Sequence, residues 1–115
     1  MSSVLGRIKD RDTFTHLQAS RTRASAGCLR LVYAPPTSSE DVEIRIGFSI
    51  SRKVGNAVER NRLRRRLREI SRQSHSILRP GAYLVIVRPP ATNKTFSELS
   101  GEFSRVSNKL AGSLP

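Results

Sequence analysis

The stretch Glu43-Ile44-Arg45-Ile46-Gly47-Phe48-Ser49-Ile50-Ser51 alternates apolar and polar or small residues, and within ten residues that rhythm changes. A period of two puts Ile44, Ile46, Phe48 and Ile50 on one buried face of a strand and leaves the other face polar. From Ala57, with Asn56 as its cap, the pattern is helical to about Leu78: Leu63, Leu67, Ile70, Ser74 and Ile77 fall within about 40° of one direction. A half-buried strand followed by a helix with a narrow apolar stripe predicts a helix packed on a sheet.

The neighbouring segments extend this layout. Leu29, Leu31 and Tyr33 share one face of a second strand, and Tyr83 to Val87 is apolar at every position, as in an interior strand covered on both sides. Because Glu43–Ser51 and Tyr83–Val87 flank a helix, they are expected as parallel neighbours or near neighbours. Phe96, Leu99, Phe103, Val106 and Leu110 define another helix, opened by a Thr95/Glu98 capping box and stopped near Gly112. Asp10 to Ala19, with Phe14 and Leu17 three apart, reads as a short first helix. Three proline-containing breaks, Ala34–Ser39, Arg79–Gly81 and Arg88–Ala91, separate elements rather than domains. The expected fold is a single α/β (α+β) two-layer sandwich over residues 1–115, in the order α-β-β-α-β-α.

Composition narrows the function. The chain has 115 residues, a net charge of +12 and 37% hydrophobic residues, enough for a modest core with a surplus of cations that suits a polyanionic partner. Lone Cys28 cannot form an internal disulfide or a multi-thiol zinc site, and the apolar run Ala82–Val87 is too short to span a bilayer. Met1–Asp12 lacks the apolar stretch of a secretory signal. A cytoplasmic protein is expected, with no membrane association and no obligate protein partner.

The cations concentrate on the central helix. Between Arg60 and Arg72 it holds seven arginines, with only Glu59 and Glu69 nearby to oppose them. Asn61, Arg65, Arg68 and Arg72 point away from the apolar stripe; Arg62 and Arg64 flank them, and Arg60 and Arg66 lie nearer the core. A solvated helix ordinarily mixes signs to gain i,i+4 pairs of about 0.2–0.5 kcal/mol each. Like charges one turn apart repel unless phosphates supply the countercharge, and the planar guanidinium fork suits phosphate. Arg52 and Lys53 precede this helix, where unpaired N–H groups also favour an anion.

Arg45-Ile46-Gly47-Phe48-Ser49-Ile50-Ser51-Arg52-Lys53-Val54-Gly55-Asn56-Ala57-Val58-Glu59-Arg60-Asn61-Arg62-Leu63-Arg64-Arg65-Arg66-Leu67-Arg68-Glu69 closely resembles the signature of the bacterial ribonuclease P protein component. The resemblance implies a protein that binds a large catalytic RNA and the 5′ leader of precursor tRNA, the RNA cutting the leader with Mg²⁺. It implies that Arg52, Lys53, Asn56, Arg60, Asn61, Arg62, Arg64, Arg65, Arg68 and Arg72 contact the catalytic RNA. It places the leader against Phe14, Arg30, Tyr33, Ser49 and Arg88, and gives the fold a left-handed β-α-β crossover. Three positions depart from the family pattern: Gln18 where a second aromatic is common, Arg66 at an often aliphatic position, and Ala82 in place of a common acidic residue.

Neither a catalytic residue nor a metal site is expected in the protein itself. His16 and His75 lack metal-ligand spacing, and Glu40, Asp41 and Glu43 read better as a solvated turn than as a cation site. On the residues alone, the arginine helix also suits a ribosomal or assembly protein, or a module that places its helix in a DNA groove. Each of these roles predicts steep salt dependence, with log-log slopes near −5 to −7 for roughly 6–8 phosphate contacts.

Overall fold

The computed structural model describes residues 5–6, 15, 17, 19–36, 40, 43–74 and 78–113. Five strands form one mixed sheet: β1 (Leu5–Gly6), β2 (Arg23–Ala26), β3 (Leu29–Ala34), β4 (Ile44–Ile50) and β5 (Gly81–Val87). Their spatial order is β1-β4-β5-β3-β2. β5 is central, as its unbroken apolar sequence requires, and it runs parallel to β4 and antiparallel to β3. Helix α1 (Ala57–Gln73) joins the two parallel neighbours, and helix α2 (Phe96–Ser113) follows β5 after a single 3₁₀ turn at Ala91–Asn93.

Alternation decides which side of the sheet each residue serves. Leu29, Leu31, Tyr33, Ile44, Ile46, Ile50, Tyr83, Val85 and Val87 form one core with Leu63, Leu67 and Ile70 of α1 and Leu99, Phe103, Val106 and Leu110 of α2. Phe48 packs against its margin. On the other face, Val32, Ala34, Ala82 and Leu84 make a smaller cluster with Leu17. Thr15, Leu17 and Ala19 are helical, in keeping with a helix in the first segment, and Leu17 is wholly buried against this second face. Phe14, His16, Gln18, Asp41, His75 and Ile77 lie outside the described residues.

Both helix starts are fixed by reciprocal caps. Asn56 Oδ1 accepts the Glu59 N–H at 2.8 Å while Glu59 Oε1 accepts the Asn56 N–H at 2.9 Å. Thr95 and Glu98 make the same exchange at 3.1 and 2.9 Å.

Several boundaries differ from expectation. α1 ends at Gln73, not near Leu78, because the Ser74 N–H turns back to the carbonyls of Ile70 and Ser71. Ser74 is therefore a half-buried cap rather than part of the stripe, and fully buried Ser71 takes the last inward place, its hydroxyl donating to Leu67 O at 2.7 Å. α2 continues through Gly112, which lies in open space near an exposed end where a glycine costs only about 1 kcal/mol. Phe96, expected in the core, is 38% exposed: as the first residue after its cap it precedes the part of α2 that meets the sheet. Strands β1 and β2 were not foreseen; β2 turns into β3 through Gly27, whose positive φ of 58° suits glycine.

Candidate nucleic-acid interface

The outward side of α1 carries the basic surface. Asn61, Arg62, Arg65 and Arg72 are exposed, and Arg64 and Arg68 are half-buried, while Leu63, Leu67, Ile70 and Ser71 anchor the opposite side. The helix is thus held at its back and capped at its start, so the guanidinium groups project from a fixed rod. Asn61 Oδ1 accepts a hydrogen bond from Arg64 Nη1 at 3.0 Å, and Arg72 pairs with Glu69 at 3.4 Å. Exposed ion pairs of this kind contribute about 0–1 kcal/mol, so they leave most of the positive field uncompensated.

Arg60 and Arg66 are both half-buried, in keeping with their placement near the stripe. Arg60 Nε is buried without a hydrogen-bond partner among the described residues. Arg52 and Lys53 are exposed in the turn before the helix, above buried Val54, whose N–H donates to Ser51 O. Asn56 is also exposed, but its Oδ1 is committed to the cap. Of the ten residues assigned to catalytic RNA, seven are exposed on the turn and the helix, and Arg60, Arg64 and Arg68 are half-buried.

The five residues assigned to the leader do not all meet. Register places Arg30 of β3 and Ser49 of β4 on either side of Ile86 of β5. Ser25 of β2 extends that row beyond Arg30, and its hydroxyl accepts from Arg88 Nη2 at 3.2 Å. Arg30, Ser49 and Arg88 are exposed, so these three share one end of the sheet face away from α1 and α2. Tyr33 does not join them. Its side chain faces the α1–α2 core, 6% exposed, with the hydroxyl donating to Pro80 O at 2.7 Å and the ring 4.9 Å from that of Tyr83. Neighbouring residues on a strand point to opposite faces, and Tyr33 is an odd number of positions from Arg30. Phe14 lies outside the described residues.

Two structural residues carried no assignment. Glu102, only 3% exposed, occupies an inward slot of α2 between Leu99 and Val106, where it accepts the Cys28 N–H and pairs with Lys94 at 3.3 Å. The signal was a charge in an apolar helical stripe. Ser25, which holds Arg88, had no comparable signal.

The model of the family described as Ribonuclease P matches residues 4–111 of this chain, nearly its full length. The chain belongs to the ribonuclease P protein family. It is 38% identical to the ribonuclease P protein component of Nocardioides sp. over 109 residues, 91% of each chain. It is also 38% identical to that of Ruegeria pomeroyi over 118 aligned positions, covering 99% of this chain and 93% of the other. Among solved structures, the Staphylococcus aureus RNase P protein matches with a TM-score of 0.73 at 29% identity, covering 91% of this chain and 94% of that one. The Thermotoga maritima RNase P protein, at 20% identity and a TM-score of 0.76 over 90% and 96% of the two chains, shares the fold. Membership of the ribonuclease P family makes this chain a component of a tRNA-processing ribonucleoprotein, associated with its RNA subunit. No helix among the described residues is long and apolar enough to cross a membrane.

Proposed function

We propose that the chain binds the catalytic RNA of ribonuclease P along α1 and holds the 5′ leader of precursor tRNA on the open sheet face. The observation that carries this reading is the exposed row Asn61, Arg65 and Arg72, flanked by Arg62, Arg64 and Arg68, on a helix locked by Leu63, Leu67 and Ile70. Guanidinium groups fixed before binding lose less freedom when they meet phosphates, and each contact releases counterions from the RNA. Arg30, Ser49 and Arg88 supply two cations and a hydroxyl around half-buried Ile86, a surface suited to the backbone of a single strand.

In this reading the RNA performs the hydrolysis and holds the Mg²⁺, and the protein raises affinity for substrate. Among the described residues no group of three or more His, Cys, Asp or Glu side chains converges, and the side chains that do converge at the interface are phosphate donors rather than Mg²⁺ ligands. The work is placed in the cytoplasm, with precursor tRNA as substrate. The deciding experiment adds the protein to the catalytic RNA at low Mg²⁺ and follows leader removal. A clear gain in rate is expected with both together and no cleavage with protein alone; no gain, or cleavage by RNA-free protein, overturns the reading.

A further inference from the structure

Arg62 and Arg66, one turn apart on α1, line a shallow solvent-open cleft whose other walls are Glu59, Leu63 and Thr92. Thr92 belongs to the 3₁₀ turn after β5, so the cleft is built from two separate elements. Neither guanidinium has a hydrogen bond or ion pair among the described residues, and the Thr92 hydroxyl is likewise unused there. Glu59 does not neutralise them by pairing: its Oε1 accepts the Asn56 N–H of the cap. Two arginines and one carboxylate leave the cleft with one net positive charge, matching the single negative charge of a phosphodiester.

The walls are held close by Gly55. A Cβ at this position would lie 2.8 Å from Glu59 Oε1 and 3.1 Å from Thr92 Cγ2, so the glycine lets the start of α1 approach the 3₁₀ turn. Leu63, itself buried, supplies the apolar wall of the cleft.

We infer that this cleft takes one backbone phosphate of the catalytic RNA, with Arg62 and Arg66 as a cationic clamp and the Thr92 hydroxyl donating the third hydrogen bond. The inference rests on the proposed RNA-binding role and deepens it: the RNA follows α1 round from its outward face into the crease beside β5. Arg66 and Thr92 thereby become contact residues, although neither was assigned as one from sequence.

The test measures affinity for the catalytic RNA, and its salt dependence, for Thr92→Val, Thr92→Ser, Arg66→Met and Arg65→Met, with thermal unfolding of each variant. Thr92→Val is expected to weaken binding roughly ten- to a hundredfold, the scale of one hydrogen bond to a charged acceptor, while Thr92→Ser keeps affinity. Arg66→Met is expected to reduce the log-log salt slope by about 0.7–0.9. If Arg65→Met loses affinity while Arg66→Met and Thr92→Val bind like the parent, the cleft inference fails and the general role stands. If none of the variants loses affinity, the role itself fails with it. Equal loss in Thr92→Ser and Thr92→Val identifies a packing effect and overturns the inference. So does a loss seen only in precursor-tRNA affinity of the assembled holoenzyme.

Discussion

The carboxylate of Glu102 and the backbone N–H of Cys28, far apart in sequence, meet in a 2.8 Å hydrogen bond inside the protein. This contact ties α2 to the β2–β3 turn, and the Cys28 carbonyl in turn accepts the Arg88 N–H at 2.9 Å. One buried acid thus braces the hairpin that carries Arg30 and the strand end that carries Arg88. Glu102→Ala leaves the buried Cys28 donor unsatisfied and is expected to lose about 1–3 kcal/mol in urea unfolding. Glu102→Gln keeps an acceptor and is expected to lose less. Gly27→Ala tests the same joint from the other side, because a Cβ there would lie 2.3 Å from Glu102 Cδ at a φ of 58°. It is expected to destabilise by more than the roughly 1 kcal/mol that positive φ alone costs.

Tyr33 gives a prediction that separates packing from recognition. Its hydroxyl bonds to Pro80 O and its ring meets Tyr83, whose own hydroxyl donates to Arg79 O at 2.8 Å and accepts the Arg79 N–H at 2.9 Å. Burial pushes both phenols above their ordinary pKa range. Tyr33→Phe is expected to cost about 0.5–1.5 kcal/mol of stability and to leave affinity for precursor tRNA unchanged. Loss of leader-dependent affinity at unchanged stability would return Tyr33 to the leader surface.

How far the sequence reveals this molecule depends on the range of the interactions involved. Periodicity is local, so the alternation of Ile44 to Ile50, the apolar run into Val87 and the stripe of Leu63, Leu67 and Ile70 were readable without knowing what covered them. The outward position of Arg65 and Arg72 followed from the same geometry. Strand β2 was not readable, because Arg23-Ala24-Ser25-Ala26 is short and carries only alanines on its inward side. Helix ends turned on a few competing hydrogen bonds, as the Ser74 N–H shows. Tyr33 shows the limit of assignment by resemblance: its parity along β3 already separated it from Arg30, and strand geometry proved the better guide.

The Thr95–Glu98 cap makes stability depend on acid in a defined direction. The backbone N–H and hydroxyl of Thr95 hold the Glu98 carboxyl below its ordinary pKa of 4.5. A carboxylate lowered on folding contributes stability that is fully present above the ordinary value and is lost as pH falls through the lowered one. Glu98→Gln is therefore expected to have a lower Tm than the parent near neutral pH. That gap should narrow once pH drops below about 4.5 and close in stronger acid. Thermal unfolding from neutral pH down to acid measures it, and a gap that is constant with pH would show that the cap acts without its charge.

The leader surface gives the sharpest functional prediction, because its polar residues, Arg30, Ser49 and Arg88, are exposed. Arg30 sits between Ser25 and Ile86 across three strands, exposed, on the face away from both long helices. Replacing it with glutamine keeps a polar side chain and removes one phosphate-binding cation, so the fold has no reason to change. Arg30→Gln is expected to weaken holoenzyme binding of precursor tRNA several-fold and to reduce the salt slope of that binding by about 0.7, the value for one single-strand phosphate contact. Mature tRNA, which has no leader, should bind as tightly to the variant as to the parent, and assembly with the catalytic RNA should be unaffected. Arg88→Gln is expected to act in the same direction but to disturb the site more, because Arg88 also donates to Ser25 Oγ beside Arg30. Equal losses for precursor and mature tRNA would mean that this face grips the tRNA body, and the strand across Arg30, Ile86 and Ser49 would have to be reassigned.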